Sequence, residues 1–65
     1  MSNRKLKSLK PGEKFVWCYD GEVYIKTTLH NGTDVGVVHL NSGVFKMLSD
    51  RDCAIPIDIK EDNNG

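Results

Sequence analysis

Between Lys14 and Thr28 the chain reads KFVWCYDGEVYIKTT, two runs of β-branched and aromatic residues split by Asp20-Gly21. Such runs fit a pleated, half-buried strand. Asp-Gly is a preferred pair for the two-residue type I′ turn, because glycine accepts the positive φ that the turn requires. The stretch therefore predicts a β-hairpin with strands over 14–19 and 22–29. A two-residue turn sets Tyr19 opposite Glu22, Cys18 opposite Val23, Trp17 opposite Tyr24, Val16 opposite Ile25 and Phe15 opposite Lys26. Opposed residues share a face of the ribbon and successive residues alternate. One face then carries Val16, Cys18, Val23 and Ile25, slim side chains suited to a tight interior. The other carries Phe15, Trp17, Tyr19 and Tyr24 with Glu22 and Lys26 at its ends, which gathers four of the chain's five aromatic residues. A one-residue slip or a bulge would exchange the faces.

Turn residues punctuate the rest of the chain at short intervals. Pro11-Gly12 leads into the hairpin, and His30-Asn31-Gly32-Thr33-Asp34 marks its exit. A third strand is expected over Val35–Leu40. Asn41-Ser42-Gly43 then has the form of a type I turn closed by a left-handed glycine. The fourth strand is Val44–Leu48, and Ser49-Asp50-Arg51-Asp52 suits a short polar connection. Ile55, Ile57 and Ile59 alternate with Pro56, Asp58 and Lys60, the period of a half-buried strand. Pro56 cannot donate to a ladder, so that strand lies at an edge or turns the position outward. Residues 1–8 read as a mobile basic arm with room for a helical turn over Arg4–Leu9, its end docking Leu9; 9–60 form the domain; 61–65 are a disordered polar tail. The expected fold is all-β, a small five-stranded SH3-like barrel with a short N-terminal arm. An OB-like barrel fits less well, since it wants longer strands and often a helix.

Sixty-five residues make one domain with a small core. Nine basic and nine acidic side chains cancel, so the total charge does not point to nucleic acid. Charge is nevertheless uneven: residues 1–14 hold five basic side chains against one acidic, a net of +4, and the remainder carries −4. No stretch approaches the roughly 18 apolar residues of a membrane span. The basic N-terminus is not followed by the apolar run of a secretory signal. A cytoplasmic location is expected, with Cys18 and Cys53 as free thiols packed as small hydrophobes.

The run Leu9-Lys10-Pro11-Gly12, then Phe15, then Gly21-Glu22-Val23-Tyr24-Ile25-Lys26-Thr27, then Val38-His39-Leu40-Asn41-Ser42-Gly43, ending in Ile55-Pro56-Ile57, resembles short accessory proteins of tailed bacteriophages. The resemblance covers about residues 9–57 and rests on turns and core positions. It implies a small β-barrel and a viral protein, in many cases of unassigned role, some acting on host machinery or host defence in the host cytoplasm. His39 stands where Asn is more usual in that pattern, and the Phe15-Trp17-Tyr19 series is denser.

Catalytic constellations are absent from the sequence. Ser2, Ser8, Ser42 and Ser49 lie in tails or turns, outside any GxSxG elbow. The six glycines are scattered and form no phosphate-cradling motif. Cys18, His30, His39 and Cys53 are the residue types of a zinc site, but their spacing matches no finger or knuckle. No enzyme activity, cofactor or metal is expected.

The aromatic residues are the candidates for binding. Phe15, Trp17, Tyr19 and Tyr24, with Lys26, would form a platform for a partner protein, since aromatic anchors are enriched at binding hot spots. The same rings could instead lie inside the barrel or beneath Leu6 and Leu9, with Phe15 the better core residue and Trp17 and Tyr19 the better surface ones. Self-association would also cover them. A non-catalytic protein that engages a host protein is the first expectation. The alternative is a single-stranded nucleic-acid or nucleotide-binding barrel, with bases stacked on Trp17 and Tyr24 and phosphates held by Arg4, Lys5, Lys7, Lys10 and Lys26.

Overall fold

Alternating small and large side chains set the strands, and long-range hydrogen bonds arrange them into one sheet. The computed structural model describes residues 3–57. Six antiparallel strands are present: β1 (Arg4–Lys5), β2 (Lys14–Trp17), β3 (Val23–Asn31), β4 (Asp34–His39), β5 (Phe45–Ser49) and β6 (Cys53–Pro56), with a 3₁₀ turn over Leu6–Ser8. Their order across the sheet is β1-β6-β2-β3-β4-β5. The protein is thus all-β, but among the described residues its sheet has six strands rather than five and its hydrogen bonding does not close into a barrel. The added strand comes from the segment expected to be a mobile arm: Arg4 and Lys5 pair with Ala54 and Cys53. Leu6 and Lys7 donate their N–H groups to the carbonyls of Asp52 and Asp50, each at 2.9 Å. The expected 61–65 tail and Ile59 lie outside the described residues.

The strand β3 bends at an irregularity between Lys26 and His30. That bend lets its first half pair with β2 and β4 while its second half continues with β4 alone. Pro56 falls in register with Phe15 of β2. On the other side of β6, β1 pairs only with Cys53 and Ala54 among the described residues, so no ladder donor is needed at the proline.

The hairpin register is shifted by two residues from a two-residue turn. Val16 pairs with Val23, Phe15 with Tyr24 and Lys14 with Ile25. Because side chains alternate with period two, a shift of two leaves the face assignment intact. Phe15, Trp17, Tyr24 and Lys26 do share one side, and Val16, Val23 and Ile25 the other. Of the two arrangements the sequence left open, the structure has the rings inside. The aromatic side faces the core, where Phe15 and Tyr24 are essentially inaccessible and pack with Leu6, Leu9, Val35, Val37, Leu48 and Ala54. The slim side is the half-buried outer surface. A single curved sheet with no α-helix among the described residues must fill its interior from its own side chains, and the rings supply that volume. Burying each contributes about 1.5–3 kcal/mol. On the outer face the Phe45 ring lies against Gly36, where an added Cβ would come within 2.8 Å of it.

Cys18 and Cys53, expected as free thiols, are joined in a disulfide. The cause is long-range: Trp17 pairs with Ala54, which brings Cys18, the residue just after β2, beside the first of β6 at a Cα separation of 5.6 Å.

Lys26 projects to the core side, and its ammonium reaches back to the N-terminal segment. It donates to the carbonyl of Leu6 at 3.1 Å and to that of Leu9. These bonds tie the 3₁₀ turn, and with it the two leucines that cover the core, to β3. Lys26→Met keeps the apolar stem but loses both charged bonds. It is expected to cost about 1–3 kcal/mol, read as a lower urea midpoint at an unchanged slope.

Candidate functional site

The corner between β2 and β3 is a four-residue loop, Cys18–Gly21, and its conformation follows from Asp20. Trp17 N–H donates to the Glu22 carbonyl at 3.0 Å and Gly21 N–H to the Trp17 carbonyl at 2.9 Å. Gly21 takes φ +70°, whereas no residue other than glycine has a positive φ among the described residues. The type I′ turn, which needs positive φ at Asp20 as well, is therefore not formed. Asp20 instead uses both carboxylate oxygens. Oδ1 accepts the Glu22 N–H at 2.9 Å, and Oδ2 accepts the Tyr24 hydroxyl at 2.7 Å. The disulfide holds the other end of the loop at Cys18.

Around this corner lies an open cleft of about 330 Å³ lined by Asp20, Glu22, Tyr24, His39, Ser42, Val44 and Lys46. Tyr24 and His39 are paired across β3 and β4, and their rings meet edge to face at 5.1 Å. Trp17 stands nearly perpendicular to Tyr24, at 87° with centroids 5.9 Å apart. Tyr19 meets Trp17 edge-on at 5.2 Å. Lys46 reaches in from β5, its Nζ 5.7 Å from the Trp17 centroid and 5.6 Å from that of Tyr24. That ammonium also donates to the Tyr24 hydroxyl oxygen at 3.4 Å.

His39, Glu22 and Ser42 are linked: His39 Nε2 lies 3.0 Å from Glu22 Oε1, and Nδ1 lies 2.6 Å from Ser42 Oγ. The trio has the members of a hydrolytic triad but the bonding of a turn cap. Nδ1 already accepts the Ser42 backbone N–H at 3.2 Å, and Ser42 Oγ accepts the Val44 N–H at 3.3 Å. The ring nitrogen that would serve as base is thus engaged in holding the Leu40–Gly43 turn, where Gly43 closes with φ +78°. Cys18 and Cys53 are bonded to each other and hold no thiolate for a metal. Among the described residues no group of three or more His, Cys, Asp or Glu converges as a metal site.

The fold brings the four aromatic candidates into ring contact, Phe15 with Tyr24 and Trp17 with both Tyr24 and Tyr19, but buries two of them and leaves the basic residues apart. Phe15 is 0% exposed and Tyr24 1%, so neither ring offers a platform. Trp17 is half-buried, and Tyr19 projects at 77% exposure. Lys26 is an internal tie. With Phe15 and Tyr24 inside the core, self-association is not needed to cover them. Arg4, Lys5, Lys7 and Lys10 are exposed but none lines the aromatic cleft. The cleft's cation is Lys46, which sequence reasoning missed along with Asp20, His39 and Ser42. Seeing it requires two registers at once, Tyr24 with His39 and Val37 with Lys46. No known protein family, characterised protein or solved structure matches the chain.

Burial pushes the Asp20 carboxyl up, but the Glu22 N–H, the Tyr24 hydroxyl and the charges of Lys46 and His39 together outweigh it, leaving the group below its ordinary value. Burial, followed by the bond to Asp20, holds the Tyr24 hydroxyl above its ordinary value. A lowered carboxyl stabilises the fold above the unfolded carboxylate range and loses that contribution as pH falls through the folded value. A raised phenol does so below about pH 10 and loses it as pH rises through the folded value. Thermal midpoints measured from pH 7 down to pH 2 should therefore fall less in Asp20→Asn than in the native chain. Parallel curves would show that Asp20 is not engaged.

Proposed function

We propose that this chain is a non-catalytic binding protein that engages another protein through the corner formed by Trp17, Tyr19 and the adjoining cleft. The observation that carries this reading is Tyr19. Its ring is 77% exposed, yet it is braced against Trp17 on a loop held by Asp20 and by the disulfide. A large ring held rigid before contact loses little conformational entropy on binding, which favours it as an interface anchor. The resemblance of the sequence to tailed-phage accessory proteins makes a bacterial host protein the partner class and the host cytoplasm the location. No helix among the described residues is long and apolar enough to cross a membrane. We also read the sheet as an SH3-like variant. The order β6-β2-β3-β4-β5, the bent β3 shared by both halves and the polar 50–52 turn support that reading.

The nucleic-acid alternative is less well supported. It needs bases on Trp17 and Tyr24 beside a basic arm. Tyr24 is covered, Lys26 is engaged with backbone carbonyls, and the cleft presents two carboxylates that repel phosphate.

The test compares immobilised native chain with Tyr19→Ala in host extract, both with the disulfide intact and after reduction, since such bonds are uncommon in reducing compartments. A host protein retained by the native chain should be recovered about tenfold less by a folded Tyr19→Ala variant. Equal recovery would move the interface elsewhere. Steeply salt-dependent binding of single-stranded oligonucleotides would favour the alternative.

A further inference from the structure

Lys46 is an exposed residue of an edge strand, yet its ammonium is turned inward over two rings rather than out into water. A cation within about 6 Å of an aromatic centroid is attracted by the ring's quadrupole. Trp17 and Tyr24, at 87° to each other, form two walls of a corner, and Tyr19 lengthens the Trp17 wall outward. Asp20 and Glu22 line the cleft beside this corner together with Tyr24, and Lys46 is the one lysine or arginine among its described lining residues. Glu22 is bonded to His39, so Asp20 is the carboxylate left to Lys46, and without that ammonium the Asp20 charge would stand beside two π faces with no lysine or arginine at hand. The ammonium's contacts are rings and a phenol oxygen at 3.4 Å rather than a carboxylate, a hold that a competing cation can replace.

We propose that this corner is a cation-recognition site, filled in the free chain by its own Lys46, and that a lysine side chain of a partner protein takes Lys46's place on binding. The proposal rests on the reading of the Trp17–Tyr19 corner as a protein contact and adds the chemistry of the group received there. Lys46 acts as an internal competitor: it occupies the corner until a partner offers both a cation and further contacts. The two carboxylates reject phosphate and carboxylate ligands at the same place.

The chain has a single tryptophan, so its indole N–H signal in a ¹⁵N–¹H NMR spectrum reports on this corner. The full chain, Lys46→Met and Lys46→Gln are each titrated with Nα-acetyl-lysine methylamide and with the uncharged analogue that lacks its ammonium, Nα-acetyl-norleucine methylamide. Both variants change an exposed position, and retained spectral dispersion identifies a folded sample. The lysine amide should shift the indole signal in the variants with an affinity about fivefold or more above that of the native chain. The norleucine amide should leave it unmoved. Equal affinity in native chain and variants, no indole shift in a folded variant, or an equal response to norleucine would each overturn the proposal. Because the probe requires no partner, such a failure removes the cation site and leaves the Tyr19 interface to its own test.

Discussion

The bond from the Tyr24 hydroxyl to Asp20 joins the interior of this molecule to its most structured surface. The Tyr24 ring is buried with Phe15 in a core assembled from one sheet and two leucines. A buried phenol without an acceptor would cost about 1–3 kcal/mol, so its hydroxyl must be met. Asp20 meets it, and to do so the loop takes two residues more than the tightest hairpin would use. From that follow the register of β2 on β3, the outward projection of Tyr19 and the placement of a carboxylate at the mouth of the cleft. Lys46 completes the arrangement from the far edge of the sheet.

A second constraint acts from the opposite end. Among the described residues, Leu6 and Leu9 of the N-terminal segment cover the core side of the sheet. Lys26 holds them by donating to their carbonyls, so a charged residue lies on the core side with its charge satisfied by backbone. The basic segment is accordingly part of the sheet, and its charges are spread along one edge instead of gathered beside the aromatic cleft.

Much of the strand pattern could be read directly from residue type. The Asn-Gly and Asn-Ser-Gly turns, the alternation in β2 and β3 and the restriction that Pro56 places on its strand all depend on local chemistry. The grouping of Phe15, Trp17 and Tyr24 also emerged, since a shift of two residues preserves faces. What local pattern could not supply was which face turns inward, because that depends on Leu6 and Leu9 arriving from elsewhere. The pairing of Cys18 with Cys53 and the approach of Lys46 to Tyr24 depend likewise on neighbours 35 and 22 residues away. Asp20-Gly21 misled for a specific reason: the same aspartate that suits a type I′ turn was taken up as a side-chain acceptor.

The hairpin register is the most direct test, since the loop, the cleft and the core all depend on it. In the antiparallel ladder a non-hydrogen-bonded pair brings its α-carbons to about 4.5 Å, close enough for a strong Hα–Hα nuclear Overhauser contact. Trp17 and Glu22 form a hydrogen-bonded pair, so the neighbouring pair Val16 and Val23 should give such a contact, and Lys14 with Ile25 another. Contacts of Val16 with Ile25 and Cys18 with Val23 would instead belong to a two-residue turn. They would contradict the role of Asp20 as the acceptor that sets the loop.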